Sequence, residues 1–185
     1  MHVLFLPEER IILGRGTKNE MHAINNGMVH VICGPGKGKS ASAVGSGILG
    51  ALAEKKVILV QFLKGMLEEE DAELLKRLEP EMKVFRFARF HGMFEDLSEE
   101  QKSEEMINLK NGFNFAKKVM VTGECDILIL DEILGLLDWN VITEDDFIHF
   151  LENKDSALEV IITGRVCPER IKPYVDHISH VENIK

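Results

Sequence analysis

The segment Val29-His-Val-Ile-Cys-Gly-Pro-Gly-Lys-Gly-Lys-Ser40 limits what this chain can fold into more than any other stretch. An apolar, β-branched run enters a turn containing Gly34, Gly36 and Gly38, and small residues follow in a helical pattern. A strand-turn-helix passage of this kind points successive amide N–H groups at one anion, and the helix adds the positive end of its dipole. The chemistry it suits is phosphate binding, with Lys39 as a point charge for phosphate oxygens and Ser40 as an oxygen ligand for Mg²⁺. The competing reading is a glycine-rich turn with no ligand. The usual G-x-x-x-x-G-K-[ST] spacing is not met, because Cys33 stands where the first glycine belongs and Gly34 comes one residue late; the loop is a compressed variant. Lys37 has two readings, a phosphate contact or a solvated surface lysine.

From Met28 onward, short apolar runs alternate with longer amphipathic segments, the signature of βαβ units. Strands are predicted at Val29–Cys33, Val57–Phe62, Lys83–Phe87, Ile127–Leu130, Glu159–Thr163 and His177–Val181, and most read as buried on both faces. Helices are predicted at Lys39–Glu54, Glu68–Leu78, Ser98–Val121 and Thr143–Asn153, with Ser98 and Gln101 spaced as a capping box. The fold class is therefore α/β: a single P-loop, RecA-like domain with a mostly parallel six-stranded sheet and helices on both faces. Ligands of such sheets bind beyond the carboxyl ends of the strands. Residues 28–185 form that domain, and residues 1–27 read as an N-terminal arm or extra strand, with a short strand possible at Arg10–Leu13.

Composition narrows the function classes. With 22 Lys plus Arg against 31 Asp plus Glu, the net charge of −9 disfavours nonspecific clamping of nucleic acid or of an anionic membrane. No apolar run reaches the roughly 20 residues that span a bilayer, and the opening residues are too short an apolar stretch for a signal-peptide core. Cys33, Cys125 and Cys167 are odd in number and far apart, which suits buried thiols in a reducing compartment. The expectation is a cytoplasmic protein.

A second nucleotide signal is Cys125-Asp-Ile-Leu-Ile-Leu-Asp-Glu132, an apolar strand ending in two carboxylates that resembles a Walker B element. In a P-loop protein this strand lies beside the first, so Asp131 or Glu132 is expected to reach the Mg²⁺ shared with the phosphates, directly or through water. Alone, such a pair is more often a capping or solvated feature. Two more strand ends, Val60-Gln-Phe-Leu-Lys-Gly65 and Ile161-Ile-Thr-Gly-Arg165, bring Gln61, Lys64 and Arg165 toward the same edge. Lys64 and Arg165 read equally as counter-charges for a triphosphate or as surface basic residues.

Taken together, in this order and spacing, the four segments resemble the ATP:corrinoid adenosyltransferases. That family has a loop like G-N-G-K-G-K-T-T, then V-Q-F-x-K-G, an apolar strand ending L-D-E, and I-I-T-G-R. Here Gly34-Pro35-Gly36-Lys37-Gly38-Lys39-Ser40-Ala41 occupies the place of the first motif, so the compressed loop matches the family's own form. Ala41 replaces a second hydroxyl residue. The family's corrinoid-facing segment resembles G-F-T-W-E, and here His91-Gly-Met-Phe-Glu95 stands in its place, with Phe94 for the tryptophan and Met93 as an apolar contact. For Phe94 the alternative is ordinary core packing, and for His91 a polar or capping role against ligation of cobalt. Family chains continue into a longer tail where this one ends Val181-Glu-Asn-Ile-Lys185.

The resemblance implies transfer of the 5′-deoxyadenosyl group of ATP to the Co(I) of a reduced corrinoid with release of triphosphate. It implies Mg²⁺ (or Mn²⁺), ATP as co-substrate, a corrinoid acceptor, a flavoprotein reductant and a homodimer. Lys39 and Glu132 are the catalytic candidates, Ser40, Asp131 and Glu132 the metal candidates, and the loop with Gln61, Lys64, Arg165 and Phe94 the binding candidates. Two other readings use the same loop: an ATPase or kinase acting at the γ-phosphate with Glu132 as base, and a non-catalytic ATP-binding relative.

Overall fold

The computed structural model of the chain describes residues 27–63, 76–90 and 94–185. The anticipated N-terminal arm, most of the helix expected at Glu68–Leu78, and the candidates Lys64, His91 and Met93 lie outside the described residues.

Six strands, β1 (Val29–Cys33), β2 (Val57–Phe62), β3 (Met82–Phe87), β4 (Ile127–Asp131), β5 (Glu159–Thr163) and β6 (His177–His180), form one sheet in the order β3-β2-β4-β5-β1-β6. Every pairing is parallel. All six carboxyl ends therefore lie at one edge, and the motifs that end strands are gathered there. The strands anticipated from β-branched runs are present, three of them with the same limits. Inner strands β2 and β4 are buried at every residue, whereas edge strand β6 is exposed along its length.

Among the described residues the α-helices are α1 (Lys39–Leu52), α2 (Glu99–Thr122), α3 (Gly135–Asp138) and α4 (Glu144–Glu152). Period-two alternation in the strands supplies two apolar faces. Ile32, Leu59, Ile129 and Ile161 join Ala43 of α1 on one face. Val31, Val60, Leu130 and Ile162 join Leu109 and Phe113 of α2 and Phe147 of α4 on the other. The anticipated capping box is present at the start of α2, where Ser98 and Gln101 satisfy each other's amides. Thr143 and Asp146 make a second one at α4. Helix α3 was not foreseen; four residues carry too little periodicity to announce themselves.

One expectation is corrected. The Walker B-like strand β4 does not lie beside β1: β5 stands between them, paired with both. Local sequence pattern identifies each strand and is indifferent to lateral order, which the packing of the connecting helices decides. The consequence is chemical, since the end of β5 brings a threonine between the two nucleotide motifs.

Helix α1 packs close to the sheet because it presents small residues. At Gly47 a Cβ would meet Ile129 Cδ1 at 2.7 Å. A Gly47→Val variant must push the helix off β4, and it is expected to lose about 1–3 kcal/mol of stability in denaturant unfolding. An unchanged midpoint would contradict this packing.

Candidate functional site

The glycine turn emerges from β1 and feeds α1, whose N-cap is Gly38. Gly34 has φ 116°, a left-handed conformation that residues with a side chain rarely adopt, and a Cβ there would strike the Val181 carbonyl oxygen at 2.4 Å. The loop is clamped from outside by the residues after β6. Val181 donates its amide to the Cys33 carbonyl (2.8 Å), Gly36 donates to the Val181 carbonyl (2.8 Å), and the Lys37 amide donates to Asn183 Oδ1 (3.2 Å). On the inner side, the Gly34 amide donates to the Arg165 carbonyl (2.9 Å). The segment after β6 is thus a structural part of the loop.

Residues 35–41, Glu132 and Arg165 line one open cleft of about 510 Å³. Lys39 is buried, and its ammonium donates to the Gly36 carbonyl (2.8 Å), folded back over the loop. Lys37 is exposed at the cleft wall, as is Arg165, which also acts electrostatically on Asp138. Desolvation pushes the Asp138 carboxyl above the usual carboxylate range, and the Arg165 charge opposes that shift.

The two carboxylates after β4 have different surroundings. Asp131 is fully buried: Thr163 Oγ1 donates to its Oδ1 (2.7 Å) and Gln61 Nε2 to its Oδ2 (3.2 Å). Arg86 Nε in turn donates to Gln61 Oε1 (2.8 Å). A polar relay, Thr163-Asp131-Gln61-Arg86, therefore crosses the ends of β5, β4, β2 and β3. Glu132 instead turns into the cleft. Its φ of 64° is left-handed, and its amide donates to Thr163 Oγ1 (2.8 Å). One threonine hydroxyl thus accepts from Glu132 and donates to Asp131. Backbone strain of roughly 1–3 kcal/mol at Glu132 is held by this bond and by the tightly hydrogen-bonded turn that follows.

The candidates separate accordingly. Loop residues 35–41, Glu132 and Arg165 share the cleft, whereas Gly34 stands outside the residues that line it. Gln61 and Asp131 stand behind it in the relay, outside the residues that line it. Phe94 lies elsewhere at the carboxyl edge, its ring stacked on Trp139 at a centroid distance of 4.1 Å. Thr163, Arg86 and Trp139 were not singled out from sequence. Thr163 lay inside the quoted Ile161–Arg165 segment, and its position at a strand end was the available signal; the other two depend on partners distant in sequence.

Among the described residues no three His, Cys, Asp or Glu side chains are placed to hold a metal. A divalent ion at this cleft would therefore complete its shell with phosphate oxygens and water around the hard oxygen donors Ser40 and Glu132, a set that fits Mg²⁺. The cysteines are free and buried. Burial pushes the Cys125 thiol up to about 12 and the Cys167 thiol upward, so neither carries the thiolate that nucleophilic chemistry requires. Among the described residues no helix is long and apolar enough to cross a membrane.

A family model, ATP:corrinoid adenosyltransferase BtuR/CobO/CobP, matches residues 25–185. An uncharacterized protein of Nostoc sp. is 31% identical over 171 residues, which cover 84% of this chain and 44% of that protein. The chain thus spans less than half of that relative. The corrinoid adenosyltransferase of Escherichia coli K12 is 26% identical over 159 residues, covering 86% of this chain and 78% of that protein. The corrinoid adenosyltransferase of Salmonella typhimurium gives the same identity and coverage.

Replacing Thr163 with Val keeps the shape and removes both hydrogen bonds. The Thr163→Val variant is expected to lose about 1–3 kcal/mol of stability and to bind Mg-ATP more weakly in calorimetric titration, while Thr163→Ser retains both. Wild-type behaviour of Thr163→Val would show that the relay does not hold Glu132 in place.

Proposed function

The chain belongs to the ATP:corrinoid adenosyltransferase family, and from that premise we propose that it transfers the 5′-deoxyadenosyl group of ATP to the Co(I) centre of a reduced corrinoid, releasing triphosphate. The observation that carries this reading is the single cleft shared by the glycine loop, Glu132 and Arg165 at the carboxyl edge of the sheet. It gathers cations and amide donors for a polyphosphate.

The reaction forms a Co–C bond from the electron pair of Co(I) and breaks the C5′–O bond, whose electrons leave on the triphosphate. The acceptor is itself the nucleophile, so no activated Ser, Cys or His is required, in keeping with the raised thiols of Cys125 and Cys167. What the protein must supply is position and charge neutralisation at the leaving group. Lys39, now bonded to the Gly36 carbonyl, exchanges that partner for phosphate oxygens. Amides at the α1 end of the loop and Arg165 bind the remaining oxygens, those of Gly34, Gly36 and Lys37 being bonded within the protein, with the Lys37 side chain at the rim and Lys64 from the segment after β2.

Ser40 and Glu132 would hold Mg²⁺ (or Mn²⁺), with Asp131 behind them, bonded to the same threonine hydroxyl as the Glu132 amide. Bound there, the ion would supply neutralisation of the charge that develops on the triphosphate. Gln61 orients Asp131, and Phe94 contacts the corrinoid. Residues 28–185 make up the nucleotide-binding domain; a cytoplasmic homodimer served by a flavoprotein reductant completes the proposal.

The test is anaerobic incubation with Mg-ATP and chemically reduced cob(I)alamin, following the corrinoid spectrum. A light-sensitive adenosylcorrinoid is expected from the wild type, and the Lys39→Ala variant is expected to lose at least about a hundredfold in rate, the loss of one preorganised charge contact. No adenosylcorrinoid from the wild type, with cobinamide and cobyrinic acid diamide tried as well, would reject the reading.

A further inference from the structure

The aromatic pair Phe94 and Trp139 lies outside the residues that line the phosphate cleft and outside the buried members of both core clusters. Both rings are half-buried, and they stack nearly parallel, with centroids 4.1 Å apart and planes 18° apart. Phe94 belongs to neither apolar core cluster, so core packing does not account for it. Trp139 packs against the edge of one cluster and caps the carboxyl end of α3.

Trp139 is tied to the nucleotide carboxylates by a short succession of bonds. The Glu132 amide is held by Thr163 Oγ1 (2.8 Å), the Gly135 amide donates to the Glu132 carbonyl (3.2 Å), and the Trp139 amide donates to the Gly135 carbonyl (3.1 Å). Gly135 is pressed against Leu63 so closely that a Cβ would meet Leu63 Cδ1 at 2.4 Å. Leu63, Phe94 and Trp139 then enclose the same small cavity, of about 20 Å³, at the carboxyl edge. Its floor is Glu105, buried near the start of α2, whose two oxygens accept from the Arg89 amide (2.9 and 3.1 Å) and fix the chain just before Phe94's segment.

We propose that Trp139 is a positioning residue: its indole face holds Phe94 at the carboxyl edge and links that ring to the turn that carries Glu132. This rests on corrinoid transfer being the reaction. The chemistry is that of stacked aromatic rings, one presenting its free side to a large, flat, apolar macrocycle while the other supports it from behind. Trp139 acts on the acceptor through Phe94 and has no part in holding the phosphates.

The test is steady-state kinetics with ATP and reduced corrinoid varied separately, for Trp139→Ala, Trp139→Phe, Phe94→Ala and the double variant. Trp139→Ala is expected to raise the corrinoid KM about tenfold and to leave the ATP KM within about twofold. Trp139→Phe, which keeps a stacking ring, restores the corrinoid KM. The double variant is no worse than Phe94→Ala, because Trp139 works through that ring. Equal rises in both KM values, no rise, failure of Trp139→Phe to rescue, or additive losses would each overturn the assignment.

A wild type that makes no adenosylcorrinoid would contradict the function instead. The contact is then still read directly, because Trp139 is the chain's single tryptophan. Phe94→Ala is expected to shift its emission in the free protein, and unshifted emission would remove the stack and the proposal with it.

Discussion

The hydroxyl of Thr163 is the bond on which the site depends. A carboxyl group buried at the end of a central strand costs several kcal/mol unless hydrogen bonds replace its water, and Asp131 is wholly buried. Thr163 supplies one of those bonds and spends its oxygen lone pair on the amide of Glu132, a residue in a backbone conformation that disfavours side chains. A single hydroxyl thus settles a buried acid and aims the next residue into the cleft. It can do so because β5 lies between β1 and β4, so that its last residue stands between the phosphate loop and the carboxylates.

The other half of the cleft is held from the outside. Edge strand β6 is exposed on both faces and adds little apolar burial, yet the residues after it make three hydrogen bonds with Cys33, Gly36 and Lys37. Together with the Gly34 amide bonded to the Arg165 carbonyl, these bonds fix the loop before any anion arrives. Preorganisation of this kind lowers the cost of aiming donors at a leaving group. Lys39 has an internal partner to give up, the Gly36 carbonyl.

Much of this was legible in the sequence, for identifiable reasons. Strands β1, β2 and β5 are dense β-branched runs with sharp boundaries, and the glycine loop, the Asp131-Glu132 pair and Arg165 each end a strand, so an all-parallel sheet was bound to collect them. The capping box at Ser98 was legible because it is local. What was hidden is lateral. The place of β5 between the nucleotide strands, the Arg86-Gln61-Asp131-Thr163 relay and the Phe94-Trp139 stack all join residues far apart in the chain. The division between Asp131 behind the cleft and Glu132 within it was hidden for the same reason, since adjacent residues differ only in which way the turn directs them.

Geometry at the carboxyl edge gathers Lys37, Lys39, Arg165 and the loop around one cleft, and the proposed adenosyl transfer breaks the bond at C5′ where an ATPase or kinase would break one between phosphates. The most direct measurement is ³¹P NMR of the products formed from Mg-ATP and a reduced corrinoid under anaerobic conditions. Intact triphosphate, in amount equal to the adenosylcorrinoid formed, is the expected result. ADP with inorganic phosphate would mean that the cleft directs attack at the γ-phosphate, and would contradict the assignment of adenosyl transfer to this site.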